Sequence, residues 1–294
     1  LREVSILEKL NHPAIVKFVG WAITSSEKGN IYLEEASKGS LDSMIKKSQA
    51  GEADPLWDDT HKLIISYGIA QAMRYLHSLT LLHRDLKCEN VLLDDNLYPY
   101  VTDFGTSKTV DDVKTSQTVQ QTTARIMPPE FLDDYQKYNR SLPIDVYSYA
   151  MVLFYLWTEK EPFEGLSNLA IIEKTIKQIR PEFPSNKPLS EKWKTLIERC
   201  WAQDFTQRPT FEEICNLLES PEFLTSEIDK GLFNEYKAKL EKEAGTTPTP
   251  PTPPAAATAT TANSASVDPV LNLKKSADDG NVEAQLEYAL RLYN

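Results

Sequence analysis

Residues 81–93, LLHRDLKCENVLL, crowd a histidine, an arginine, two acidic residues, a lysine and an asparagine between two apolar runs. The apolar flanks favour burial, whereas the middle carries more charge than an ordinary surface loop has reason to hold. A site that brings a metal ion, a phosphate and a nucleophile close together requires this density of polar groups. The segment therefore predicts a functional site that is anchored by buried flanks.

The composition is that of a globular protein with an excess of acidic residues. With 294 residues, 41% hydrophobic and 26% charged, the chain can form one large domain or two smaller ones. The formal net charge of −11 argues against nucleic acid or a membrane surface as a main partner. Cys88, Cys200 and Cys215 form no disulfide framework, and neither a leader nor a bilayer-spanning apolar run is visible. A cytoplasmic protein is therefore expected.

Apolar periodicity predicts a short segment of strands followed mostly by helices. A helix is expected over about residues 1–11, then a strand at 14–19 with a partner at 30–34. A long amphipathic helix is expected at 60–79, with Thr60 as its cap. Further helices are predicted at 143–158, 168–178, 191–201 and 211–219, and a charged helix at about 223–243 is expected to lead out of the domain.

Three motifs follow one another along the chain: HRDLKCEN at residues 83–90, TDFG at 102–105 and MPPE at 127–130. This order strongly resembles the protein kinases, and the resemblance covers residue 1 to about residue 219. It implies an α+β, protein-kinase-like bilobal fold, mostly the helical C-lobe with a partial N-lobe. It also implies transfer of the γ-phosphoryl group of ATP to hydroxyls of protein substrates.

Two shorter motifs, CW at 200–201 and RPTF at 208–211, are most similar to the tyrosine-kinase-like group. Within the catalytic loop, Leu86 and Lys87 favour serine/threonine specificity, since tyrosine kinases usually place alanine and arginine there. Departures from the family pattern, such as Thr122 in place of a usual glycine, put the peptide preference in doubt.

The resemblance assigns the chemistry to five residues. Asp85 is expected to orient the substrate hydroxyl and accept its proton, and Lys87 to point its ammonium at the γ-phosphate. Thr123 is expected to contact both from the substrate-facing loop. Asn90 and Asp103 offer the hard oxygen ligands that Mg²⁺ prefers, so ATP and Mg²⁺ are the expected cofactors.

The segment upstream resembles the regulatory helix and the hinge of the kinases. Glu3 falls where the family places the glutamate paired to the ATP-holding lysine, although a solvated helix glutamate is the alternative for this stretch alone. Leu33 is expected as the gatekeeper, with backbone groups of Glu34 and Ala36 facing adenine and Leu92 beneath the ring.

Other residues at family positions are expected to support the site. His83 should pack with Phe104 in the hydrophobic spine, and Asp145 should cap the backbone of the catalytic loop. Glu130 and Arg208 match the buried ion pair of the family. The residues expected to be bystanders are Cys88, with a reactive thiol as the alternative, and the helix-surface residues His61 and His77.

Phosphorylation between Thr106 and Thr118 is predicted to switch the enzyme on. Arg84 precedes the catalytic aspartate, and in kinases with that pairing the arginine is a buried positive charge that a phosphate can neutralise. The alternative is that Asp111 or Asp112 already does so. The candidate acceptors are Thr106, Ser107, Thr109, Thr115, Ser116 and Thr118, of which the last three lie nearest the middle of the loop.

The sequence given contains no counterpart of the glycine-rich loop and strand lysine of the kinases. The chain is therefore expected to be an internal piece of a longer protein and to transfer phosphate poorly by itself. Two functional classes stay open: an active serine/threonine kinase, and a pseudokinase scaffold that uses the fold for protein–protein interaction. The complete trio Asp85, Asn90 and Asp103 favours the enzyme.

The chain divides into four parts, of which residues 1–220 are kinase-like and 221–244 hold the charged helix. Residues 245–269 are mostly threonine, proline and alanine and predict a linker, with a ligand for a proline-binding domain as the alternative. Residues 270–294 are similar to the start of a Sel-one-like helical repeat, with an unrelated amphipathic tail as the alternative. Such repeats stack, so protein partners are expected there.

Overall fold

The computed structural model describes residues 2–23, 29–105, 107–109, 124–130 and 141–244. The α+β architecture predicted from the sequence is confirmed, since small antiparallel sheets accompany a mainly helical body. The helices are α1 Arg2–Leu7, α2 Leu41–Gln49, α3 Asp59–Ser78, α4 Pro143–Thr158, α5 Asn168–Ile176, α6 Glu191–Cys200, α7 Phe211–Leu218 and α8 Lys230–Ala244. The strands are β1 Phe18–Ile23, β2 Gly29–Leu33, β3 Gly39–Ser40, β4 Leu81–Leu82, β5 Val91–Leu93, β6 Pro99–Val101 and β7 Lys108–Thr109.

Strands β1 and β2 form the predicted pair, which is antiparallel, but β1 begins later than expected. Part of the strand predicted at 14–19 joins β6 instead. The Val16 N–H donates to the Val101 carbonyl at 3.0 Å, and the Val101 N–H donates to the Ala14 carbonyl at 2.9 Å. Ala14 and Val16 are both buried, so this apolar run lies inside the core instead of alternating between core and solvent.

Helices α3 and α4 form the centre of the helical body. Helix α4 has the predicted bounds, with Pro143 in its first turn, and all residues from 144 to 158 are buried because the helix is apolar on every side. Helix α3 is capped by Asp58 instead of the predicted Thr60. Asp58 Oδ1 accepts the His61 N–H at 2.8 Å, and the imidazole of His61 turns onto the same oxygen. His61 is therefore buried, and its predicted surface position is wrong.

The other predicted helices are confirmed to within two residues at their ends, except that α1 stops at Leu7 and α8 begins at Lys230 instead of near residue 223. Helix α2 was not predicted. It begins after Ser40, whose Oγ accepts the Ser43 N–H at 3.2 Å, and Asp42 lies in its first turn. A serine cap followed by an acidic residue is a local signal that could have predicted this helix.

Two small sheets bring the motif segments together. Strand β5 follows segment 83–90 and pairs antiparallel with β6, with Val91 opposite Val101. Strand β6 leads directly into segment 102–105, so the two segments lie side by side. Strand β4, which enters segment 83–90, pairs with β7 on the other side.

Helix α8 packs against α3 instead of leading out of the domain. Phe233, Tyr236 and Leu240 are buried in the same core as the rest of the domain. Their spacing of three and four positions forms one apolar stripe on an otherwise charged helix, so the predicted exit is wrong.

In the part of the chain that the structure describes, no helix combines the length and the apolar character needed to cross a bilayer. Residues 245–294, which hold the predicted linker and repeat, lie outside the described residues.

Candidate active site

The loop at 83–90 is held by one buried carboxylate, that of Asp145 in α4. Its oxygens accept the backbone N–H groups of His83 at 3.0 Å and of Arg84 at 2.8 Å, which confirms the predicted capping role. His77, predicted at the surface, instead places Nε2 3.0 Å from Asp145 Oδ2. Burial by itself would raise the pKa of the Asp145 carboxyl. The hydrogen bond to His77, the charges of the His77 and His83 imidazoles and the hydrogen bond from the Arg84 amide outweigh burial, so the pKa of this carboxyl is lowered.

Asp85 lies in the middle of this loop with its side chain almost fully buried. Its Oδ2 accepts hydrogen bonds from Lys87 Nζ at 2.7 Å and from Asn90 Nδ2 at 3.0 Å. Its Oδ1 is buried and has no hydrogen-bond partner among the residues that the structure describes. Leaving a buried carboxylate oxygen without a donor is costly, so Oδ1 is available for a donor on a bound molecule.

Asn90 and Asp103, predicted as metal ligands, are brought together because the Thr102 N–H donates to the Asn90 carbonyl at 3.0 Å. Asn90 uses its amide nitrogen on Asp85, which leaves its amide oxygen for another partner. Asp103 is exposed, and its Oδ1 accepts the Gly105 N–H at 3.3 Å. One amide oxygen and one carboxylate form a donor set suited to a hard cation.

Two non-glycine residues of the site have left-handed backbone: Arg84 at φ 72° and Asp103 at φ 64°. This region is uncommon for such residues and costs free energy, so it persists only where the surroundings hold it. Asp145 fixes the amide of Arg84, and the Thr102–Asn90 hydrogen bond fixes the chain just before Asp103. The strained backbone of Arg84 therefore directly precedes the candidate catalytic residue Asp85, and the strained backbone of Asp103 carries a candidate metal ligand.

His83 supports the loop from inside the core, as predicted. It is fully buried, and its ring lies 5.2 Å from that of Phe104, measured between ring centroids. Its Nε2 lies 3.0 Å from the Thr102 carbonyl, and its own carbonyl accepts the Ser107 hydroxyl at 3.3 Å. These contacts join the two motif segments behind the site.

The predicted adenine-binding residues lie along the segment between β2 and β3. The Glu34 N–H donates to the Lys17 carbonyl at 2.9 Å, and the Ala36 carbonyl accepts the Gly39 N–H at 3.3 Å. The Glu34 carbonyl and the Ala36 amide take part in neither of these two bonds, so they can offer a ligand one acceptor and one donor. The half-buried side chains of Leu33 and Leu92 are packed against the core.

Other predicted features fall outside the described residues. Thr123 is one of them, as are the phosphorylation candidates at 106 and 115–118. Glu3 lies in α1, but its side chain is also outside the described part of the chain. Their predicted roles stay predictions.

Glu130 and Arg208 form the predicted buried ion pair. Arg208 Nη1 and Nη2 donate to the two oxygens of Glu130, each at 2.7 Å, in a two-pronged geometry. Arg208 Nη1 also donates to the Pro143 carbonyl at 3.0 Å. The pair therefore ties the end of the MPPE motif to the start of α4, beneath the catalytic loop.

A small cavity of about 50 Å³ beside Lys87 was not predicted. Its polar lining includes Glu89 and the pair formed by Arg125 and Glu161, whose closest charged atoms are 3.4 Å apart. Cys88 also lines it, and burial raises the pKa of that thiol well above its ordinary value, as expected for an unreactive thiol. No sequence motif signals the cavity, because its walls come from segments far apart in the chain.

Comparison with known proteins agrees with this geometry. The family described as the protein kinase domain matches residues 1–218. The chain is 36% identical over 219 residues to a probable serine/threonine-protein kinase of Dictyostelium discoideum, which covers 74% of the chain and 16% of that protein. It is 35% identical over 221 residues to the serine/threonine-protein kinase CTR1 of Arabidopsis thaliana, covering 74% and 26%.

A third relative is the dual specificity protein kinase pyk3 of Dictyostelium discoideum, 36% identical over 221 residues, with 75% of the chain and 15% of that protein covered. The matched region thus spans between 15% and 26% of the length of these three relatives. The family match covers the catalytic loop, the TDFG segment and the buried ion pair together, and the chain belongs to the protein kinase family.

Proposed function

We propose that this chain carries a serine/threonine protein kinase activity. The observation that supports it best is the carboxylate of Asp85, because Lys87 and Asn90 donate to one oxygen while the other is buried and has no hydrogen-bond donor among the described residues. A substrate hydroxyl that donates to Oδ1 would have its proton directed at a charged acceptor. Two of the relatives are named serine/threonine kinases at about 35% identity.

In this proposal each residue of the catalytic loop has a different role. Asp85 orients the hydroxyl and takes its proton while the hydroxyl oxygen bonds to phosphorus and ADP leaves with the bridging oxygen. Lys87 lies 2.7 Å from Asp85 Oδ2, and its side chain is 23% exposed, so its ammonium can also face a phosphoryl oxygen. Thr123 is proposed to contact both from the substrate side.

Protein kinase domains use ATP and a divalent metal ion. We propose Mg²⁺, held by the amide oxygen of Asn90 and the carboxylate of Asp103, because both are hard oxygen donors. When bound, the metal offsets the negative charge of the phosphates. In the described ranges, no group of three or more His, Cys, Asp or Glu side chains could hold a metal.

Adenine is proposed to lie against the segment between β2 and β3. The Glu34 carbonyl and the Ala36 amide supply an acceptor and a donor, which match the amino group and ring nitrogen of the base. Leu33 and Leu92 would contact its edge and its lower face. Glu3 is proposed to pair with the lysine that holds the phosphates.

We also propose a cytoplasmic location and protein contacts through the C-terminal repeat. The location is supported by Cys88, Cys200 and Cys215, which are all buried free thiols.

The test is phosphate transfer from labelled ATP by the full-length protein, comparing Asp85→Asn with Asp95→Asn. The first change keeps the size of the side chain but removes the charge that accepts the proton, so activity should fall about a hundredfold or more. Asp95 is an exposed carboxylate of the β5–β6 turn, so its variant should keep wild-type activity. Product analysis should show phosphoserine or phosphothreonine, and it also measures phosphotyrosine because one relative is named dual specificity.

Equal rates for the wild type and Asp85→Asn would contradict the proposal. A folded wild-type protein without transfer activity would favour the pseudokinase scaffold.

A further inference from the structure

Helix α8 lies beyond residues 1–218, the range matched by the kinase family, yet it is built into the core. Its start is tied to the start of α3, because the Asp229 N–H donates to Thr60 Oγ1 at 3.0 Å. Further along, the ring of Phe233 lies 5.0 Å from that of Tyr67. The helix is therefore a fixed part of the domain.

Tyr236, in the middle of α8, fills a slot between α3 and the β5–β6 turn. On the α3 side the slot exists because residue 68 is glycine: a Cβ at Gly68 would overlap the Tyr236 hydroxyl and the Pro99 ring. On the turn side, the rings of Tyr236 and Tyr98 lie 4.5 Å apart. Lys239, one turn further on, places its ammonium 5.0 Å from the centre of the Tyr98 ring. Helix α8 thus holds the turn against α3.

The turn that α8 contacts is braced by Asp94. Asp94 Oδ1 accepts the N–H groups of Asn96 and Tyr98, each at 2.9 Å, and Oδ2 accepts the Tyr100 hydroxyl at 3.1 Å. A turn bonded in this way moves as a unit. A shift of Tyr98 or Pro99 is therefore passed to β6 instead of being absorbed locally.

Strand β6 carries this constraint to the active site. It ends at Val101, and Asp103 follows two positions later. Between them, the Thr102 N–H donates to the carbonyl of Asn90, so the position of β6 also affects the spacing of the two candidate metal ligands. The path from α8 to Asp103 consists of direct contacts at every step.

We infer that Tyr236 is a positioning residue: by seating the β5–β6 turn on α3, it sets the place of Asp103 relative to Asn90. The inference rests on the proposed function, since it treats these two residues as the metal ligands. The role depends on the packing of the ring in the slot and not on a hydrogen bond from its hydroxyl. The hydroxyl is buried without a hydrogen-bond partner among the described residues, and burial raises its pKa well above the ordinary value, so it stays neutral.

The experiment uses the full-length protein with Tyr236→Ala, Tyr236→Phe and the control Phe223→Ala. Phe223 is an equally buried aromatic residue, but its ring packs on Trp193, 4.7 Å away between centroids, instead of on the β5–β6 turn. Two quantities are measured: amide hydrogen exchange of residues 98–105 without ligand, and the Mg²⁺ concentration that gives half-maximal transfer at saturating ATP.

Tyr236→Ala should speed exchange across 98–105 and raise the half-maximal Mg²⁺ concentration about fivefold or more. Tyr236→Phe should match the wild type in both. Phe223→Ala should lower the denaturation midpoint but leave both quantities unchanged, because general destabilisation does not move Asp103. If Tyr236→Ala does not fold, Tyr236→Leu keeps apolar volume in the slot while removing the ring contact, and the same shifts are expected.

An unchanged Mg²⁺ dependence in Tyr236→Ala, or an equal shift in Phe223→Ala, would overturn the inference. If the wild type transfers no phosphate, the proposed function fails. The inference is then tested by two other measurements: hydrogen exchange of residues 98–105, and the affinity for Mg²⁺, measured by calorimetry in the presence of a non-hydrolysable ATP analogue. Equal values for Tyr236→Ala and Tyr236→Phe in both measurements would overturn it.

Discussion

Asn90 binds Asp85 twice: its Nδ2 donates to the backbone carbonyl of Asp85 at 2.9 Å and to Oδ2 of the carboxylate at 3.0 Å. The double contact fixes the orientation of both side chains. It turns Oδ1 of Asp85 and the amide oxygen of Asn90 toward other partners. One short-range pair therefore presents both the candidate base and a candidate metal ligand.

Asn90→Asp should reduce phosphate transfer because it places a second negative charge beside the carboxylate of Asp85. The new carboxylate faces Oδ2 of Asp85, so the two hydrogen bonds that Asn90 donates are replaced by repulsion between like charges. We expect transfer to fall about a hundredfold at neutral pH. The control is Asn96→Asp, which adds the same charge at an exposed turn position. A transfer rate equal to that of the wild type would mean that Asn90 does not hold Asp85 in place.

Asp145→Asn should loosen the whole catalytic loop. The amide nitrogen of asparagine cannot accept a hydrogen bond, so an N–H of His83 or Arg84 loses its partner in a buried place. We expect a loss of about 3 kcal/mol in the free energy of unfolding, measured in urea, together with a lower kcat. Asp59→Asn, an exposed first-turn residue of α3, should cost only about 0.5 kcal/mol. Similar losses in the two variants would show that the cap is unimportant.

His12 should make stability depend on pH. Its Nδ1 accepts the Ala14 N–H at 3.1 Å, and its ring stacks on Tyr75. Burial, with a smaller contribution from the charge of Arg74, lowers the pKa of His12 to about 4 from 6.5. The unfolded chain then binds more protons than the folded one between these values. Stability is therefore full above pH 6.5 and is lost as the pH falls toward about 4.

The measurement for His12 is urea unfolding at several pH values, with His12→Asn as the matched variant. Asparagine offers an oxygen that can accept the Ala14 N–H but does not titrate in this range. The wild type should lose more stability than His12→Asn between about pH 7 and about pH 5. Parallel curves for the two proteins would assign the pH dependence to other groups.

Gly68→Ala should destabilise the protein although alanine is the better helix former. In an exposed helix the change would gain about 1 kcal/mol, but here the new methyl overlaps the Tyr236 hydroxyl and the Pro99 ring. We expect a net loss of about 2 kcal/mol by thermal or chemical unfolding. Adding Tyr236→Phe removes one of the two overlaps and should recover part of the loss. If Gly68→Ala alone increased the free energy of unfolding, α8 would be able to move away from the new methyl group at little cost.

Local features of the chain could be predicted from the sequence because neighbouring residues decide them. The bounds of α4 follow from a proline in the first turn and an apolar run, and both act within the helix itself. The motif residues Asp85, Asn90 and Asp103 lie on two short segments whose types and order already indicate the chemistry.

Only the tertiary structure decided which distant residues meet. Periodicity shows which face of α8 is buried but does not identify Gly68 and Tyr98 as its partners, and the charged composition of the helix favoured the wrong prediction. His77 and Asp145 are 68 positions apart, and nothing local marks the histidine as a neighbour of the buried carboxylate. The physical reason is that a hydrophobic pattern shows only that a surface is removed from water. The hydrophobic effect is nondirectional, so the pattern does not specify which partner covers that surface. The geometry of a contact depends on how whole elements pack, and here that packing sets the positions of the catalytic carboxylate, the candidate metal ligands and the helix that braces them.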